Sequence, residues 1–195
     1  MTKRIGIFGG TFDPIHLGHL LLAETARRLL ALTRVLFIPA RVPPHKSVVA
    51  TSPEQRYRMV DLACDDNPHF EVSDLEIRRE GPSYTVETLR ALMRAATPDT
   101  KHFLLIGADS ASDLESWKDY DALLDESAVV VLGRPGHEAT NLAPAALGRL
   151  TFLDTPLVQI SSSEIRRLAG RGDSIRYLVT DPVERYIRSE GLYLI

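Results

Sequence analysis

Ile5-Gly6-Ile7-Phe8-Gly9-Gly10-Thr11-Phe12-Asp13-Pro14-Ile15-His16-Leu17-Gly18-His19 opens as a short apolar strand, breaks at paired glycines and runs into two histidines where a helix begins. Gly9 and Gly10 carry no Cβ, so the backbone can turn sharply there and approach a ligand closely. Asp13 and Pro14 suit the turn and the first helical residues. A helix start exposes N–H groups at the positive end of the helix dipole, where a phosphate is stabilised. His16 and His19 sit at i and i+3, leave one face of the first turn and can both donate to the same anion. The stretch predicts a strand, a phosphate-binding turn and a helix in succession.

Other chemistries fit this stretch poorly. The glycine spacing is neither the G-x-G-x-x-G of a dinucleotide fingerprint nor the G-x-x-x-x-G-K-[ST] of a Walker loop, and the histidines are not an H-E-x-x-H pair. A zinc site needs a third and usually a fourth ligand. The single cysteine, Cys64, lies in an unrelated segment and reads as a packing residue of a helix. No residue is therefore assigned as a metal ligand. The plain alternative is that the two histidines only cap or pack the first helix.

Working outward, short apolar runs alternate with amphipathic ones. Strands are expected at 4–8, 35–39, 70–75, 102–106, 128–132 and 150–153, and helices at 17–32, 53–64 and 83–95. Ser52, Pro53 and Gln55 form a helix-start signature for the second helix. Strands alternating with helices of this length indicate a largely parallel α/β sheet. In such a sheet ligands bind beyond the carboxyl ends of the strands. The other chemically suggestive residues fall there: Pro43-Pro44-His45-Lys46, Gly107-Ala108-Asp109, Gly133-Arg134-Pro135 and the serine run Ser161-Ser162-Ser163. The loosest stretch, 133–148, reads as a surface excursion inside one domain covering 1–195.

The chain has 195 residues and a formal charge of −3. That balance argues against a general nucleic-acid or anionic-membrane surface. No apolar run approaches the ~20 residues needed to span a bilayer, and the opening Met1-Thr2-Lys3-Arg4 leads straight into a strand, so a soluble cytoplasmic protein is expected. The many arginines after residue 165 interleave with acids and read as a solvated helical face. Arg166 is the exception, because the serine run places it one turn into a helix.

These motifs carry a resemblance. His16-Leu17-Gly18-His19 resembles the H-x-G-H signature of the nucleotidyltransferase superfamily, and Ile160-Ser161-Ser162-Ser163-Glu164-Ile165-Arg166 is similar to its I-S-S-T-x-I-R segment, with serine at 163 keeping the hydroxyl. Within the superfamily, Pro43 to Lys46, Gly81-Pro82-Ser83-Tyr84-Thr85-Val86-Glu87-Thr88-Leu89, Ile106 to Ser110, Trp117 and the segments 177–179 and 183–187 resemble the bacterial nicotinate-nucleotide adenylyltransferase family over essentially the whole chain. The resemblance implies a single-domain Rossmann-like α/β fold with helices on both faces of a mostly parallel sheet. It implies ATP and nicotinate mononucleotide as substrates, deamido-NAD and pyrophosphate as products, and Mg²⁺ carried on the ATP phosphates. It leaves a homo-oligomer open.

Residue by residue, the resemblance gives the phosphates to His16, His19, Lys46 and Arg166. ATP would meet Gly9, Gly10, Thr11, Phe12, Gly18, Gly107, Asp109, Ile160, Ser161, Ser162 and Ser163 as well. The mononucleotide would meet Thr11, His45, Lys46, Tyr84, Thr85, Asp109, Trp117 and Arg134. The residues themselves allow plainer roles: a helix cap for Tyr84-Thr85, an N-cap for Asp109, a core anchor for Trp117, a solvated loop for His45-Lys46. Phosphopantetheine adenylyltransferase shares the N-terminal motif, but it is shorter and gives no use to Trp117 or Tyr84-Thr85. A nicotinamide-preferring enzyme and a non-catalytic nucleotide-binding module are the other rivals.

Overall fold

The computed structural model describes residues 2–44, 48–133, 148–156 and 158–194. Six strands, β1 (Lys3–Gly10), β2 (Arg34–Pro39), β3 (Phe70–Val72), β4 (Thr100–Gly107), β5 (Ala128–Leu132) and β6 (Leu150–Leu153), form one sheet in the order β3-β2-β1-β4-β5-β6. All neighbouring pairs are parallel; Ile7 lies opposite Leu36 on one side and Leu104 on the other. The order reverses between β1 and β4, which places a crevice beyond their carboxyl ends.

Eight α-helices and a 3-10 turn (Leu114–Ser116) accompany the strands among the described residues, the α-helices being α1 (Leu17–Leu29), α2 (Pro53–Cys64), α3 (Leu75–Arg78), α4 (Thr85–Ala95), α5 (Ala108–Ser112), α6 (Tyr120–Glu126), α7 (Ser162–Gly170) and α8 (Asp181–Ser189). Strand alternation sorts them onto two faces. Phe8, Val35, Phe37, Leu105 and Val130 pack with Ala23, Ala26, Met59, Val60, Ile165, Val183 and Ile187, so α1, α2, α7 and α8 cover one side. Ile7, Ile38, Leu104, Ile106, Val129 and Val131 pack with Val86, Leu89, Ala111, Leu123 and Leu124, so α4, α5 and α6 cover the other. Burial on both faces explains why β5 reads as an unbroken apolar run, Ala-Val-Val-Val-Leu.

Several boundaries differ from the sequence reading, each for a local reason. The first helix ends at Leu29, short of Leu32, because Ala31 adopts φ +48° and the Leu32 N–H turns back to the Arg27 carbonyl at 2.8 Å. That is a Schellman-type stop with alanine where glycine is usual. The third strand ends at Val72: the Ser73 hydroxyl accepts from the Leu75 N–H at 3.2 Å and turns the chain into α3. α4 starts at Thr85, since the Ser83 hydroxyl accepts from the Arg41 N–H at 2.9 Å instead of capping a helix. Pro14 does not open α1, whose N-cap is His16 in extended conformation. Cys64 is buried and its thiol is pushed up to about 12 by desolvation, as suits a packing residue.

Candidate active site

At the end of β1 the two glycines serve different ends. A Cβ on Gly10 would lie 2.8 Å from the Phe12 ring, whereas one on Gly9 would meet nothing within 4 Å. Gly10 lets Phe12 fold under the turn, and Gly9 borders open space. Gly107, at the end of β4, likewise has nothing within 4 Å of a Cβ position. Phe12 is only 3% exposed and its ring packs edge-on against Phe8 and His19. Any contact Phe12 makes with a nucleotide must therefore come from its backbone.

His16 and His19 stack with ring centroids 3.6 Å apart and an interplanar angle of 23°. The His16 N–H donates to His19 Nδ1 at 3.2 Å, which places the proton of a neutral His19 on Nε2. His16 is buried, and desolvation pushes its pKa down to about 4. Its Nδ1 finds no hydrogen-bond partner among the described residues. The same nitrogen lies 3.0 Å from where a Cβ of Gly18 would be. The glycine between the histidines is thus the surface on which the His16 ring rests, a role the sequence reading did not see. The first amide of α1 is not open to an anion: the Leu17 N–H donates to the Leu178 carbonyl at 2.9 Å.

The serine segment meets this turn directly. Ser162 Oγ donates to the Pro14 carbonyl at 2.9 Å across 148 residues of sequence. Arg166 Nη1 donates to the Asp13 carbonyl at 2.7 Å, and Nη2 to Ser163 Oγ at 3.2 Å. Ser161 is the N-cap of α7 and accepts from the Glu164 N–H. Ile160 packs on the core beneath, and the Val158 side chain passes 3.7 Å from the Gly18 Cβ position. One cluster therefore holds Gly9 to Thr11, His16, His19, Ser161 to Ser163 and Arg166.

A second group forms on the other side of the crevice. Ser83 ties the start of α4 to the segment after β2, accepting from Arg41 through Oγ and donating its own N–H to the Val42 carbonyl at 2.9 Å. Tyr84 is the N-cap of α4 without a side-chain cap bond, and Thr85 is the first helical residue. The Lys118 ammonium lies 4.5 Å over the Tyr84 ring, which brings the neighbouring Trp117 toward the same region. Trp117 is half-buried against the second-face core, so it is anchored and yet partly open. Asp109 is exposed in the first turn of α5, whose N-cap is Gly107; the expected N-cap role falls two residues earlier. His45, Lys46 and Arg134 lie outside the described residues, as does most of the stretch 133–148.

Sequence reasoning missed a buried polar network behind the turn, built on the Asp13 carboxylate and the Arg56 guanidinium. Arg56 could have been noticed: with Met59, Val60 and Ala63 it completes an i, i+3, i+4, i+7 stripe on the buried side of α2, and arginine rarely sits fully inside.

Residues 7–168 match the family model described as cytidylyltransferase-like. The chain is 48% identical over 190 residues to a protein of Thermus thermophilus named as a probable nicotinate-nucleotide adenylyltransferase, covering 97% of this chain and 99% of that one. A Symbiobacterium thermophilum protein of the same name is 45% identical over 199 residues, covering 98% and 95%. The chain belongs to the nicotinate-nucleotide adenylyltransferase family. The family's fold is also met in Plasmodium falciparum nicotinic acid mononucleotide adenylyltransferase, solved in complex with NaAD, at TM-score 0.81 and 23% identity over 98% of this chain and 97% of that one. The same protein complexed with APC aligns at TM-score 0.78 and 22% identity, with the same coverage. In this member of the family, the match to the cytidylyltransferase-like model spans both the histidine motif and the serine segment and stops short of α8.

Proposed function

We propose that this enzyme transfers the adenylyl group of ATP to nicotinate mononucleotide, giving nicotinate adenine dinucleotide and pyrophosphate, as a step of NAD biosynthesis. The observation that carries the reading is the direct bonding of the serine segment to the β1 turn through Ser162 and Arg166, which gathers cationic and N–H donors beside the glycine-bordered opening at the sheet's switch point.

In this reaction a phosphate oxygen of the mononucleotide attacks the α-phosphorus of ATP and pyrophosphate leaves in line. A phosphate monoester has a second pKa near 6 and is largely dianionic at neutral pH, so no protein base is needed. The enzyme's work is positioning and charge stabilisation. His19 would donate through Nε2, and Arg166 and Lys46 would meet the polyphosphate. A bound phosphate would draw the buried His16 toward its protonated form, since a nearby opposite charge favours it. The amides of Thr11 and Ser162 would complete the cradle. Mg²⁺ would arrive on the ATP phosphates and neutralise part of their charge. Magnesium commonly binds through substrate phosphates with few protein ligands, so no residue of this chain is given to it.

Across the crevice, the Thr85 amide would receive the pyridine carboxylate beside Tyr84, whose own N–H already donates to the Pro82 carbonyl at 3.1 Å, Trp117 would stack on the ring and Asp109 would bond a ribose hydroxyl. His45 and Arg134 complete the proposed mononucleotide site. No described helix is long and apolar enough to cross a membrane, and we place the reaction in the cytoplasm. The deciding experiment is pyrophosphate release from MgATP with nicotinate or nicotinamide mononucleotide, with the dinucleotide identified. Preferential formation of the nicotinate product is expected; activity with neither would overturn the reading.

A further inference from the structure

The Asp13 carboxylate is 4% exposed and accepts three hydrogen bonds: Oδ2 from the Ala50 N–H at 2.8 Å, and Oδ1 from Thr51 Oγ1 at 2.6 Å and the Tyr193 hydroxyl at 2.9 Å. Beside it, Arg56 is 1% exposed and among the described residues donates only to main-chain carbonyls: those of Thr11, at 2.9 Å, and Ala40 from Nη1, and that of Arg41, at 3.0 Å, from Nη2. The two charges attract without touching, and the field of Asp13 partly offsets the desolvation of Arg56. Taken together, the bonds have a direction. Arg56 joins the phosphate-facing turn to residues 40 and 41, where the chain leaves β2, and Asp13 joins the same turn to residues 50 and 51, where it enters α2. The 40–51 segment is thus fastened to the turn at both ends. A buried ion pair is weak evidence for stability, since desolvation can outweigh attraction, and specificity of geometry is its better-attested use.

We propose that Asp13, Arg56 and the Tyr193 hydroxyl are positioning residues for adenylyl transfer: they fix the His16–His19 turn relative to the end of β2 and the start of α2, and Tyr193 influences turnover without touching either substrate. Tyr193 is the least expected member. It lies 180 residues from Asp13 in sequence and beyond the residues that match the family model, and its ring packs on the first-face core. Removing only its oxygen therefore leaves the packing in place and takes one of three donors from a buried carboxylate, the circumstance in which a lost hydrogen bond is felt most.

The kinetic arm rests on the reaction proposed above. Tyr193→Phe and, independently, Thr51→Val should each lower kcat about tenfold with KM for both substrates within about twofold, inside the roughly hundredfold that a 1 Å misplacement costs. Because both donors act on the same Oδ1, the double variant should be far from additive. The second arm needs no activity. Native-state hydrogen exchange at the Ala50 amide, itself a bond to Asp13, should quicken about tenfold in Tyr193→Phe while the Leu104 and Leu105 amides of β4 keep wild-type protection. Unchanged Ala50 exchange in a folded variant would overturn the anchor. Faster exchange with normal kcat would reduce it to a structural contact and overturn the positioning role. A wild-type enzyme that forms no dinucleotide would instead overturn the proposed reaction, and the exchange arm would still decide the anchor.

Discussion

The His16 ring is held on three sides by features a sequence motif does not spell out: the stack with His19, the Cβ-less surface of Gly18, and burial that leaves it neutral. Gly18→Ala would bring a methyl group to 3.0 Å of Nδ1 and force the stacked ring to move. A folded Gly18→Ala enzyme should lose at least tenfold in kcat, given how steeply rate follows placement of a donor; steady-state kinetics at wild-type level would show that the ring has room to adjust. Burial of His16 also sets a pH dependence. Its pKa is pushed from an ordinary 6.5 down to about 4, so between those values the unfolded chain binds a proton that the folded chain refuses. Stability should fall as pH drops from about 6.5 toward 4, by up to about 3 kcal/mol from this group, and should not respond to it above 6.5. Thermal midpoints of the substrate-free enzyme at pH 7, 5.5 and 4.5 would reveal the slope. His16→Asn should flatten it, and an equal slope in both proteins would assign the effect elsewhere.

At the level of elements, α1 ends on a residue that disfavours the conformation it holds. Ala31 sits at φ +48°, where a Cβ costs roughly 1–2 kcal/mol and glycine costs far less. Ala31→Gly should therefore stabilise the protein by about 0.5–1 kcal/mol after the added unfolded-state entropy is counted. In a chain of this size that is a rise of a few degrees in Tm, and calorimetry showing a lower Tm would contradict it. The same residue explains why the helix end was illegible: with no glycine at Ala31, the apolar pattern ran on to Leu32. The end of β3 was missed for a similar reason, a hydroxyl turn at Ser73 where the apolar run Phe70 to Leu75 suggested continuity. By contrast α2 was read correctly from Ser52, Pro53 and Gln55, because its signal is local; both capping bonds are present. For the site, the two motifs were legible because each is a short run of special residues. Asp13 reads in the sequence as a turn residue, and nothing near it points to Thr51 or Tyr193, which lie 38 and 180 residues away.

Across the whole molecule, one sheet with a core on each face should unfold as one unit. The single tryptophan, Trp117, reports the face covered by α4 to α6, while far-UV circular dichroism reports all elements alike. Urea transitions by the two probes should coincide; a separation would mean that the two faces come apart independently. A different consequence follows from the bond between Ser162 and Pro14, which spans 148 residues. At synthesis rates of 5–20 residues per second, the histidine turn waits roughly 7–30 s between its own emergence and the arrival of the segment that closes against it. Through that interval the nascent chain carries both histidines without Ser162 and Arg166, which bond the Pro14 and Asp13 carbonyls in the folded protein. The fold thus joins its two motifs only late in synthesis, and on the function proposed above nucleotide binding would follow that closure.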